Sequence, residues 1–224
     1  AKANFSKAQY NLGLQYFNNK YMPRKIDRAI YYFQLAANQN YVTAQFLLGH
    51  IYFKYIKNIN KSIYYFEQAA NQNHVVSMYN LGYIYYNIND INKTIHYLKL
   101  ASDNNYAKAN YLLGIIYSED KYIKCEIDIA IHYFQLAADH DVCDAFYELG
   151  KIFYEGKYIE RDINKAIDFF QHASDHNHVG AQLILGEIFY KGEFIERDID
   201  ISIDYFQLAA DHDVCDAFYE LGKI

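Results

Sequence analysis

The sequence predicts an all-α solenoid built from six stacked helix pairs and a terminal half repeat. Three observations carry that prediction. Leu-Gly recurs with its glycine at Gly13, Gly49, Gly82, Gly114, Gly150, Gly186 and Gly222, at the interval of roughly 30–40 residues typical of helical repeat arrays. Ala followed by Ala or Ser begins at Ala36, Ala69, Ala101, Ala137, Ala173 and Ala209, always at the same distance before the next Leu-Gly glycine. All length variation therefore falls in the other interval, which separates one rigid connection from one elastic loop. Finally, YFQLAADHDVCDAFYELGKI at 133–152 returns unchanged at 205–224, two repeats further along the chain.

Each unit reads as a helix A bearing Leu-Gly, then a helix B ending at Ala-Ala. In unit 5, Ala145, Leu149, Ile152, Phe153 and Gly156 recur at helical spacing, as do Ile163, Ala166, Ile167, Phe170 and Ala173. The units fall at about 1–40, 41–73, 74–105, 106–141, 142–177 and 178–213, with 214–224 opening a seventh. At the slot where helix B starts, unit 1 has Lys25, unit 2 Asn58, unit 3 Asp90, unit 4 Glu126, unit 5 Asp162 and unit 6 Asp198. Asn and Asp are good N-caps; Lys and Glu are not. Between helix B and the next helix A, the third connecting residue is Asn40, Asn73, Asn105, Asp141, Asn177 or Asp213. Asn and Asp tolerate positive φ better than any residue but Gly, so this slot is read as the helix C-terminus. The Leu-Gly glycine sits mid-helix, where it costs about 1 kcal/mol against Ala. A close approach to the small alanines of a neighbouring helix B would account for it.

These residues resemble the Sel-1-like repeat family, relatives of the tetratricopeptide repeats. Ala145, Leu149, Gly150, Phe153, Gly156, Asp162, Ala166, Ile167, Phe170 and Ala173 show the motif in unit 5, and the likeness runs over the whole chain. The loop glycine, Gly156 or Gly192, is missing from units 1 to 4, and the loops of units 2 and 3 are shorter than the rest. Such loops are expected to shift the superhelix locally without changing the fold. The resemblance implies a right-handed α-α superhelix with A helices on the concave side. It also implies a non-catalytic scaffold or adaptor, in signalling, protein quality control or host contact, that binds a protein or peptide partner in its groove. A neighbouring protein kinase domain in the full-length protein is a further expectation. Since the chain lacks an initial Met and stops within the repeat pattern, it is expected to be a fragment.

Composition narrows the function classes. The chain is 52% hydrophobic and 21% charged, no run approaches the roughly 20 apolar residues of a membrane span, and its first residues lack a signal-peptide core. Cys125, Cys143 and Cys215 are too few for a disulfide framework, which points to a reducing, cytoplasmic compartment. Residues 1–112 hold 12 Lys/Arg against 4 Asp/Glu, and residues 113–224 hold 9 against 23, giving +8 and -14. That split argues against nucleic-acid binding along the whole length and would favour head-to-tail self-association.

ADHDVCDAF, at 138–146 and 210–218, has the letters of a reactive site. Its cysteine slot is Val42, Val75, Ala107 and Val179 elsewhere, so Cys143 and Cys215 are read as buried spacers. His140, Cys143 and Asp144 make only a partial ligand set, on different faces of a turn. No phosphate loop or HExxH occurs, and neither a metal nor a cofactor is expected. The alternative function is that of cysteine-rich relatives linked to β-lactam binding or hydrolysis, but those carry paired cysteines in each repeat and this chain does not. The partner groove is instead expected one and four residues after each Leu-Gly glycine. The first row is Leu14, His50, Tyr83, Ile115, Lys151, Glu187 and Lys223; the second is Phe17, Phe53, Tyr86, Ser118, Tyr154 and Tyr190. Five aromatics in six slots suit peptide anchoring, although A/T-rich codons would also scatter tyrosines.

Overall fold

Helix boundaries in the computed structural model, which describes residues 2–18, 26–120, 124–212 and 214–224, fall where the period places them. The A helices are α1 (Lys2–Asn18), α3 (Val42–Ile51), α5 (Val75–Asn87), α7 (Ala107–Ser118), α9 (Cys143–Glu155), α11 (Val179–Lys191) and α13 (Cys215–Leu221). The B helices are α2 (Ile26–Ala37), α4 (Ile59–Ala70), α6 (Ile91–Ser102), α8 (Ile127–Ala138), α10 (Ile163–Asp175) and α12 (Ile199–Ala210). No strand occurs among the described residues. Contacts group the chain into Ala1–Tyr106, with three helix pairs, and Ala107–Ile224, with three pairs and α13. Within each group every helix packs on its chain neighbours, as a helix pair that cannot bury its apolar stripe alone requires.

The rigid connection is a left-handed C-terminal cap. Asn40, Asn73, Asn105, Asp141 and Asn177 have φ of 57° to 61°, while Asp213 and the Lys25 slot lie outside the described residues. Beyond each of these five residues, an amide closes back on helix B: Tyr41, His74, Tyr106, Val142 and His178 donate to Ala36, Ala69, Ala101, Ala137 and Ala173. These are the long bonds of a Schellman closure, and they land on the first alanine of each Ala-Ala or Ala-Ser marker. The interval from that alanine to the next Leu-Gly is constant because this closure has one geometry.

Loops of unequal length end in a shared hydrogen bond. The amides of Asn58, Asp90, Glu126, Asp162 and Asp198 donate to the carbonyls of Tyr52, Tyr85, Tyr117, Phe153 and Phe189 at 2.9 to 3.1 Å. Asn58, Asp90, Asp162 and Asp198 also cap helix B with their side chains; Glu126 makes no such bond. Where units 5 and 6 turn at Gly156 and Gly192 (φ 62°), the short units turn at Lys57 (φ 60°) and Asn89 (φ 59°), the former after a π-helical turn at Tyr52–Ile56. Lysine gains nothing in that region to offset its Cβ strain. Lys57→Gly is therefore expected to raise stability by about 0.5–1 kcal/mol, read as a higher urea midpoint; a lower midpoint would show that the π turn needs the lysine.

The Leu-Gly glycine faces an aromatic ring, not the small alanines that the sequence suggests. A Cβ on Gly13, Gly49, Gly114, Gly150 or Gly186 would lie 2.5 to 2.6 Å from Phe33, Phe66, Phe134, Phe170 or Phe206, and on Gly82 it would lie 2.7 Å from Leu98. The phenylalanines are buried to 1% exposure or less, and each ring can lie on helix A only where no side chain intervenes. A second contact pins each pair. Tyr16 stacks on Tyr32, Tyr52 on Tyr65, Tyr85 on Tyr97, Tyr117 on Tyr133, Phe153 on Phe169 and Phe189 on Tyr205, with ring centroids 5.5 to 6.0 Å apart and planes within 18°. Such pairs contribute about 0.5–1.5 kcal/mol beyond the area they bury. Nine of the 26 tyrosines are spent on these stacks, so part of the tyrosine richness is packing.

Candidate functional site

Near the ADHDVCDAF stretch the side chains diverge. Asp141 holds the helix cap (φ 57°) and His140 is exposed. Asp144 points outward, 3.6 Å from His178 Nε2. Cys143 is half-buried and Cys215 exposed, which corrects the buried-spacer reading. Cys143 opens α9 beside α10 and donates weakly from Sγ to the Ala173 carbonyl at 3.5 Å; burial, and then Asp144, push its thiol pKa up. Among the described residues no group of three or more His, Cys, Asp or Glu side chains converges as a metal site would.

Two histidines have a role that sequence reasoning missed. His74 and His178 are N-caps: each Nδ1 accepts the amide three residues on, Ser77 at 3.2 Å and Ala181 at 3.1 Å. Histidine is not among the usual caps, and only its place directly after the left-handed residue could have signalled the role.

In the first group of helix pairs, the expected groove positions are half-buried except Tyr83, which is 41% exposed. Leu14 and Phe17 pack on the core around Phe33, and Phe17 sets its edge against Tyr55 at 5.7 Å. His50 stands 6.4 Å from the Phe46 ring and 6.3 Å from Tyr55, its pKa lowered by burial and then by Lys54. Phe53 and Tyr86 are half-buried, and Tyr83 leans on Tyr79 at 6.4 Å.

The second group brings two of the expected residues into one place. Ile115 of α7 and Lys151 of α9 line a cleft of about 490 Å³, together with Ser118. Burial, the largest effect, would lower the Lys151 pKa, but the 2.9 Å hydrogen bond to Glu148 and the charges of Glu148, Tyr147 and Glu155 together raise it. A hydrogen bond from the Tyr158 hydroxyl to Asp120, 3.0 Å long, spans the cleft's loop end. The Cys125 amide, then that hydroxyl, hold the Asp120 carboxyl below the usual carboxylate range. The other expected residues lie elsewhere. Tyr154 sets its edge on Phe170, Glu187 pairs with Lys191 at 2.9 Å, and Tyr190 lies under Arg197.

The Sel1 repeat profile matches residues 6–41, 42–74, 75–87, 88–106, 107–142, 144–178 and 179–214. The third and fourth stretches together make up the pair α5 and α6. A search of curated proteins found no match. Among solved structures, the chain is similar to a protective antigen of uropathogenic Escherichia coli strains that displays an SLR fold, with TM-score 0.87 and 22% identity over 98% of this chain and 48% of that one. It is also similar to a Sel1 repeat protein from Oxalobacter formigenes, with TM-score 0.75 and 23% identity over 97% of this chain and 65% of that one. This chain thus spans about half the length of the first and just under two thirds of the second. At these identities the likeness carries the fold alone.

Proposed function

The chain belongs to the Sel1 repeat family, and from that membership we propose that it is a non-catalytic scaffold binding a protein or peptide segment along one face of its A helices. One observation carries the reading. After the Leu-Gly glycines of α3, α5 and α7 the residues two and three places on are buried (Ile51 and Tyr52, Ile84 and Tyr85, Ile116 and Tyr117), while after those of α1, α3, α5, α7, α9 and α11 the residues one and four places on stay partly open to solvent. That row mixes aromatic, aliphatic and charged side chains, among them Tyr83, Tyr86, Ile115, Lys151, Glu187 and Tyr190. Aromatics that keep an open edge suit partner anchoring, since tyrosine dominates binding hot spots. No helix among the described residues is long and apolar enough to cross a membrane.

The test compares two sets of tyrosines in partner capture by the immobilised chain. Tyr83→Ser, Tyr86→Ser and Tyr190→Ser change the row, while Tyr31→Ser and Tyr64→Ser change exposed positions on B helices. Row variants are expected to lose at least about tenfold in capture of a partner that the unaltered chain retains, with helical content preserved. Equal capture by both sets would discard the A-helix face.

A further inference from the structure

The cleft between α7 and α9 coincides with the one interruption of the aromatic row. Five A helices place Phe17, Phe53, Tyr86, Tyr154 or Tyr190 at the slot where α7 has Ser118, and Ser118 lines the cleft with its hydroxyl turned back onto the Ile115 carbonyl at 3.0 Å. A ring at this position would enter the space. The serine leaves it open, at about 490 Å³, a volume within the range of ligand sites.

The walls define what would fit. Ile115, Ile127 and Ile152 supply an apolar lining. Four carboxylates, Glu119, Asp120, Glu148 and Glu155, face two ammonium groups, Lys151 and Lys157. Two of the four are engaged: Glu148 holds Lys151, and Asp120 takes the Tyr158 hydroxyl and the Cys125 amide. Among the described residues no lysine, arginine or histidine lies within ion-pair distance of Glu119 or of the Glu155 carboxylate, although the Glu155 charge reaches Lys151. The surrounding residues 113–224 carry -14, a field that draws cations in.

We propose that this cleft takes an arginine side chain from an apolar stretch of a protein partner, its alkyl stem along the isoleucines and its guanidinium towards Glu119 and Glu155. Arginine suits such a place because its stem covers apolar surface while its planar, weakly hydrated head is shared between carboxylates. The proposal rests on the scaffold reading above and names the chemistry of one contact within it.

The full chain is titrated with acetyl-Leu-Arg-Leu-amide while its isoleucine methyl NMR signals are followed; the Leu-Glu-Leu and Leu-Leu-Leu peptides serve as controls. Saturable shifts at Ile115 and Ile152 with the arginine peptide, and at least about tenfold weaker binding of both controls, are expected. Ser118→Tyr should abolish the shifts without lowering the urea midpoint, since five sister helices carry a ring at that slot. Glu119→Gln combined with Glu155→Gln changes only exposed side chains and should erase the preference for arginine while the helical spectrum stays the same. The proposal falls if no saturable shift occurs, if the glutamate or leucine peptide binds as well, or if the glutamine variant keeps the preference. Partner capture through Tyr83, Tyr86 and Tyr190 does not involve the cleft. Capture that persists while the peptide fails removes the cleft and leaves the scaffold, whereas peptide binding with row-independent capture does the reverse.

Discussion

Gly150→Ala is expected to destabilise the protein by about 1–3 kcal/mol. Gly150 lies inside α9 (Cys143–Glu155). Propensity alone would favour alanine, by about 1 kcal/mol in a helix interior. Packing reverses that at Gly150, where the new methyl would stand 2.6 Å from two carbons of the Phe170 ring. Phe170 is fully buried and cannot swing away without opening α9 from α10. Urea unfolding of Gly150→Ala reads which effect prevails. A raised midpoint would show that helix propensity, and not contact with the ring, decides the slot.

Phe170→Ala should be costlier still, at about 3–5 kcal/mol. The ring sits between Gly150 and the rings of Tyr147, 5.9 Å away, and Tyr154, 6.3 Å away. Its removal leaves a cavity that the flanking helices cannot fill without losing the Phe153–Phe169 stack. Phe170→Leu should cost under about 1.5 kcal/mol, because Leu98 already fills the corresponding slot against Gly82. Hydrogen exchange would locate the loss: protection should fall in α9, α10 and α11 first, as expected of an array stabilised through nearest neighbours. A cost for Phe170→Ala near that of Phe170→Leu would mean that the ring is dispensable to the pair.

Interior aromatic burial also acts on phenol chemistry. Tyr97, stacked on Tyr85 and hydrogen-bonded to Glu67 at 3.3 Å, has its pKa pushed up to about 12, first by burial and then by the Glu67 charge. The same carboxylate therefore ties α4 to α6 and keeps the phenol neutral.

Which parts of this were legible beforehand follows from the range of the forces involved. Asn40, Asn73, Asn105, Asp141 and Asn177 could be read as helix ends because positive φ restricts residue type locally, and their φ of 57° to 61° agrees. Asn58, Asp90, Asp162 and Asp198 were readable as caps for a similar reason, since the capping oxygen and the amide it accepts lie within one helical turn of each other. The family, the period and the helix pairs follow from such local signals repeated along the chain.

What faces the Leu-Gly glycine was not readable in this way, because Phe170 lies on the next helix, across a loop from Gly150, and only packing selects the ring over the nearby alanines. The tyrosine stacks stayed hidden for the same reason: each links two helices across a loop whose length says nothing of ring orientation. The histidine caps at His74 and His178 depend on the chain direction set by the preceding left-handed residue, and the cleft beside Ser118 depends on a neighbouring helix leaving space unfilled. Residue order was thus enough for a Sel1 array of helix pairs with Asn or Asp at its corners. Which rings fill that array, and where one is missing, emerged from packing, because burial and contact between distant residues are properties of the folded chain.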